Sequence, residues 1–153
     1  MLKLGIYMFE DDLTSRQNCL MFFPADEDEG ASWSVDCAFL EGVFGDLEVS
    51  PAICINPIET EAESVEELVG TTFSVETVEE CDEREDLFTV YEMEPMQRYE
   101  IRVLEVANDH AHVVGKGIAI VDGFDEEAET EEFSFDVWLP IIVDEDDWEK
   151  FGL

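Results

Sequence analysis

Positive charge is what this sequence has least of. Seven Lys and Arg stand against 41 Asp and Glu, a formal net charge of −34. That shortage argues against direct nucleic-acid binding and against docking on an anionic membrane, because both partners would be repelled. Long apolar runs are missing as well. The stretch Met1-Leu2-Lys3-Leu4-Gly5-Ile6 meets Glu10-Asp11-Asp12 before it reaches the length of a secretory core segment. No run approaches the roughly 18 apolar residues of a membrane span. A cytoplasmic protein is expected.

Cysteine spacing excludes more. Cys19, Cys37, Cys54 and Cys81 contain no Cys-x-x-Cys, so neither a zinc ribbon nor a thioredoxin-type redox pair is supported. Cys19 and Cys37 lie inside apolar runs, the setting of buried free thiols. No disulfide is expected in that compartment.

Catalytic signatures are absent too. There is no Gly-x-Ser-x-Gly. Gly115-Lys116-Gly117 sits in a strand pattern with no helix after it and no Ser or Thr beside the lysine, so it is not a phosphate loop. Two glycines there mark a bulge, tight curvature or close packing by a large side chain. Asp26-x-Asp28-x-Gly30 begins like a calcium loop, but Cys37 stands where the closing glutamate belongs. His110 and His112 would share a face of an extended strand, yet a metal site needs at least a third ligand. With 41 acids every carboxylate pairing is possible, so no glycosidase-type pair stands out. The expectation is a protein with no enzymatic role, no metal and no cofactor.

What is present is core material. Hydrophobic residues make up 46% of the chain, with eleven Phe, three Trp and three Tyr, too much for a disordered acidic tail. One domain spanning residues 1–153 is expected. Residues 4–9 read as a central first strand, joined to residues 18–23 in an opening hairpin. Trp33, Val35, Cys37 and Phe39 share one face of a half-buried strand. Residues 52–55, between Pro51 and Pro57, read as a short edge strand. Ser64 and Glu67 read as a capping box for a short helix that Gly70 stops. A β-meander follows, with strands near 71–77, 87–92, 99–106, 112–121 and 133–142, and with turns at 81–86, 94–96, 108–109 and 122–123. Asp144 then caps a terminal helix bearing Trp148 and Phe151. The fold class is mainly β, with α+β as the variant: an antiparallel sheet, sandwich or partly open barrel of about nine strands with one or two short helices.

The acids cluster at 79–86, 125–132 and 144–147. Clustered like charges repel, and their persistence makes sense where a cation meets them. The residues assigned to partner binding are Asp125, Glu126, Glu127, Glu129, Glu131 and Glu132, together with Asp144, Asp146 and Asp147. Trp148 joins them as an aromatic anchor inside a charged rim. In composition the chain resembles small acidic bacterial immunity proteins. That resemblance implies a non-enzymatic inhibitor that neutralises a basic toxin, nuclease or other nucleic-acid-binding protein, DNA mimics included. The alternative is a salt-adapted β-domain whose acids hold a hydration shell over an unrelated ligand-binding or enzymatic role.

Overall fold

The computed structural model describes residues 1–122 and 129–153. The chain is mainly β, as its alternation predicts. In order, the strands are β1 (Leu2–Leu4), β2 (Tyr7–Phe9), β3 (Cys19–Phe23), β4 (Ala31–Ala38), β5 (Gly42–Phe44), β6 (Leu47–Val49) and β7 (Ala52–Thr60). Then come β8 (Thr72–Val75), helix α1 (Val78–Arg84), β9 (Leu87–Thr89), β10 (Met93–Glu94), β11 (Arg98–Ala107), β12 (His110–Asp122) and β13 (Glu129–Ile142). Two 3-10 turns, Val65–Leu68 and Glu145–Phe151, complete the described elements. Eleven strands join one sheet along the path β10-β9-β7-β4-β3-β13-β12-β11-β8, with β1 and β2 added beside β13, while β5 and β6 pair separately. The sheet curls into an open half-barrel.

β13 is the spine. Along one edge it pairs with β12 almost throughout. Along the other its early residues pair antiparallel with β1, and Ile141 and Ile142 pair parallel with Leu20 and Met21 of β3. Two arms therefore meet there. One holds β3, β4, β7, β9 and β10; the other holds β1, β2, β8, β11, β12 and β13. Their inner faces share one core, in which Trp33, Leu20, Phe88, Ile101, Val113 and Val137 are all buried. The Phe88 ring lies 4.9 Å from that of Phe133, so the arms touch across the half-barrel.

The paired glycines of β12 take the close-packing role. A Cβ on Gly115 would sit 2.3 Å from the Phe135 ring, and one on Gly117 would sit 2.3 Å from the Arg98 carbonyl oxygen and 2.9 Å from the Phe133 ring. The two phenyl rings, stacked 6.4 Å apart on β13, cover the glycines of the neighbouring strand.

Several local expectations are corrected. Residues 4–9 are not one central strand: Gly5, at φ 59°, turns the chain, and β1 and β2 form their own hairpin. β3 does not pair with them but joins β4 and β13. β7 runs on through Pro57 and lies between β4 and β9 rather than at an edge. The register with β4 slips between Trp33 and Val35, so Pro57 falls in a bulge where no ladder hydrogen bond is required of it. Ser64 makes no side-chain cap, and the expected helix shrinks to the 3-10 turn Val65–Leu68. The acidic stretch read as a turn at 81–86 is instead mostly α1, whose start is capped by Thr77 accepting from the Glu80 amide at 3.2 Å. Asn108 and Asp109, both at positive φ, form the two-residue β11–β12 turn.

Candidate functional site

Charge is not spread evenly over this fold. Residues 10–96 carry 25 Asp and Glu against two cations, Arg16 and Arg84. Both of those are held within the chain. Arg16 donates to the Leu153 carbonyl oxygen and lies 5.5 Å from the Trp148 ring. Arg84 ends α1 and is folded back on fully buried Asp86 at 2.8 Å.

The Asp86 cluster explains why one arm consumes its cation. Its carboxylate also accepts from the Asn56 amide at 2.8 Å and from the Tyr99 hydroxyl. Arg84 donates to the Asn56 carbonyl oxygen at 2.7 Å and stacks 4.8 Å from the Phe73 ring. Burial alone would lower the Arg84 pKa, but the Asp86 hydrogen bond and charge outweigh it and leave it raised. Burial, then the Asp86 bond, lifts the Tyr99 hydroxyl far above its ordinary range. A fully buried carboxylate, held by a half-buried arginine and by donors from two strands, ties α1 to β7 and β11; it is structural chemistry rather than a reactive centre.

The carboxylates gather at one end of the half-barrel. A cleft of about 600 Å³ there is lined by Glu63, Glu66, Asp109 and Asp147, with Lys150 as its cation. Two residues back along the chain from Glu63 a second cleft begins, of about 810 Å³, lined by Asp28, Glu29, Glu59 and Glu61 and by no cation. Four elements converge to make this rim: the loop before β4, the end of β7, the β11–β12 turn and the C-terminal 3-10 turn. Glu59, Glu61 and Glu63 stand two residues apart, and an extended chain spaces such positions by roughly 6–7 Å. That Glu-x-Glu-x-Glu alternation was the available sequence signal, hidden by the number of acids around it.

The structure divides the residues assigned from sequence. Asp125, Glu126 and Glu127 lie outside the described residues. Glu129 and Glu132 are exposed at the start of β13, and Glu131 is half-buried beside Gly5. Asp144 and Asp146 are exposed just past the end of the same strand. The 12 residues from 132 to 144 span on the order of 40 Å of extended chain, so the two clusters sit at opposite ends of the sheet. Only the 144–147 group joins the acidic rim. Asp147 within it is partly committed: it accepts from the Val143 amide at 2.8 Å and the Asp144 amide at 3.0 Å in a capping box, and it pairs with Lys150. Those backbone hydrogen bonds pull its pKa down to about 2.

Trp148 is not an exposed anchor. It is 6% exposed and packs in a satellite cluster with Cys19 and Ile142. The terminal turn needs an apolar foot on the outer face of β3 and β13, and Trp148 supplies it.

His110 and His112 do share a face. The His110 ring contacts the Asn108 carbonyl oxygen at 2.8 Å, while His112 bonds Asp136 at 2.7 Å and stacks on Trp138 at 4.6 Å. Among the described residues no group of three or more His, Cys, Asp or Glu is placed to hold a metal. The thiols of Cys19 and Cys54 flank Asp36 on adjacent strands, and burial pushes both up to about 12. Such thiols are protonated and inert at neutral pH. No described helix is long and apolar enough to cross a membrane. Compared with protein families, with curated proteins and with solved structures, the chain matches none of them.

Proposed function

We propose that the protein is a non-enzymatic acidic binder of the inhibitor or immunity type, which neutralises a basic toxin, nuclease or other nucleic-acid-binding protein through its carboxylate rim. The observation that carries this reading is the segregation of charge: 25 acids and no uncommitted cation over residues 10–96. A cationic groove that evolved to hold phosphate would meet carboxylates presented from four elements at once. Long-range attraction would speed that encounter and disfavour neutral competitors. Glu59, Glu61 and Glu63, with Asp144 and Asp146, are the residues proposed to lead the contact; the regular spacing of the first three suits the DNA-mimic form of the idea. Glu129 and Glu132 belong to a separate patch at the other end of the sheet. Salt adaptation is the competing account, but a hydration shell is served by acid everywhere, and this chain keeps one face nearly neutral.

The test is capture from the native host at low and at high salt, followed by reconstitution with the purified basic partner. Reversing Glu59, Glu61 and Glu63 to Lys should slow association at least ~10-fold at low ionic strength and change dissociation little. Recovery of no basic partner at any salt concentration would favour salt adaptation instead.

A further inference from the structure

Four of the seven cations, Lys3, Arg98, Arg102 and Lys116, project from one sheet face. They make no ion pair with any described residue. The face is the outer side of β8, β11, β12, β13 and β1, and its register is flush. One row reads Arg102–Val114–Asp136. The next reads Glu100–Lys116–Ser134–Lys3, and the third Arg98–Ile118–Glu132. Read by columns, β11 presents Arg98 and Arg102 around Glu100, β12 presents half-buried Val114 and Ile118 around Lys116, and β13 presents Glu132 and Asp136. A mostly cationic column and an anionic column thus flank one in which Lys116 stands between two apolar residues.

We infer that this face binds a second copy of the chain about a two-fold axis running along β12. Such an axis keeps each row in place and exchanges the columns. Arg102 of one copy then lies over Asp136 of the other, and Arg98 over Glu132, each pair occurring twice. Val114 and Ile118 meet their own counterparts at the axis, where an interface is driest. Lys116 lies on the axis as well and faces its own counterpart, with Glu100 of each copy in the same row to offset the two charges. Two aligned sheets stack at about 10 Å, a separation these side chains span. Grooves of about 1030 and 560 Å³ run between the long side chains over small residues such as Gly5, Ser74 and Ser134, and they give the second copy's side chains somewhere to insert. Elsewhere two chains of charge −34 repel, so a near-neutral, self-complementary face is the place where copies approach at least cost. The acidic rim lies at the end of the sheet and is left free.

Sedimentation of the purified protein alone tests this, with no basic partner present. A species of twice 17.4 kDa is expected, favoured as salt rises from about 0.01 to 0.15 M, because long-range repulsion is screened before the close pairs are. Arg98→Glu should raise the dimer dissociation constant at least ~10-fold, with circular dichroism unchanged, since both copies of the Arg98–Glu132 pair become repulsions. Adding Glu132→Arg to that variant should restore wild-type association. A wild type that stays monomeric to about 1 mM, a dimer indifferent to Arg98→Glu, or a failed rescue would each overturn the inference. None of these outcomes bears on binding of a basic protein at the rim.

Discussion

The two arms that meet at β13 handle charge in opposite ways. The arm of β3, β4, β7, β9 and β10 is built from strands of nine residues or fewer, and folds the one cation it keeps near its sheet onto a buried carboxylate. The arm of β11, β12 and β13 is built from strands of 10, 13 and 14 residues, and displays its cations on an exposed outer face. A strongly acidic composition is therefore not one uniform coat. Where the strands are long, cations alternate with acids across neighbouring strands and local repulsion is held down. Where they are short, acids accumulate in the loops and clefts between them, and Lys150 is the cation that lines those clefts.

The sharpest break in that comparison comes from the spine itself. Val137 is 1% exposed and paired with Val113, in the core common to both arms. Val137→Asp should cost about 5 kcal/mol and leave little folded protein at 37 °C, read by chemical denaturation. A wild-type denaturation midpoint would mean that the arms do not share that core.

Cations should matter unequally in the two arms. Arg84→Met strands the Asp86 carboxylate in the interior and should cost roughly 3–5 kcal/mol. Arg102→Met, on the open face, should change stability of the monomer by no more than about 0.5 kcal/mol. Equal effects would erase the distinction between a consumed and a displayed cation.

Glycine substitutions sharpen it further. Gly115→Ala drives a methyl into the Phe135 ring and should cost about 1–3 kcal/mol. Gly30→Ala, before β4, meets nothing within 4 Å and should be close to neutral.

The long-stranded arm was also the legible one. Phe133, Phe135, Val137 and Leu139 alternate on a single face, and the Asn108-Asp109 turn between β11 and β12 has the residues that positive φ demands, so sequence alone placed those elements within a few positions. Period counting fails elsewhere in the chain. β1 and β2 are both largely apolar and look continuous until Gly5 folds the chain. Helix α1 offers only Val78 and Cys81 as apolar contacts amid five acidic or basic neighbours, a pattern that resembles a solvated loop. Ala52–Thr60 hides its length behind Pro57, because tolerance of that proline depends on a bulge formed with a partner strand. The site was half legible for the same reason. The cluster at 144–147 is local in sequence, whereas the rim it joins is assembled by topology, and Trp148 is buried by Cys19 and Ile142, residues far from it along the chain or on another element.

Salt should separate the arms by a smaller margin. Screening weakens repulsion among unneutralised acids, so the melting temperature should rise between low salt and about 0.15 M. Glu61→Lys should add a few tenths of a kcal/mol at low salt, and Lys3→Glu should subtract a similar amount, both differences fading at high salt. A melting temperature independent of salt would mean that the rim is already neutralised by something bound.

The finest contrast is between two carboxyls that titrate in opposite directions. Asp36, on β4, is raised from its ordinary 3.8 by burial, with a hydrogen bond from Cys54 pulling weakly the other way. Asp147, in the terminal capping box, is lowered from 3.8 to about 2 by the amides of Val143 and Asp144, with Lys150 adding to them. For Asp36 the folded state holds its proton more tightly than the unfolded state, so ionising it works against folding, and that penalty is absent below 3.8 and fully present above its raised folded value. For Asp147 the unfolded state binds the proton more tightly, so its contribution is fully present above 3.8 and is lost as pH falls toward 2. Asp36→Asn should therefore be at least as stable as wild type at pH 7 and lose any advantage in acid. Asp147→Asn should be less stable than wild type at pH 7, with the two converging as the pH approaches 2. Urea midpoints measured for both variants across that range decide the matter, and two curves that move in the same direction with pH would show that burial and capping do not set these carboxyls apart.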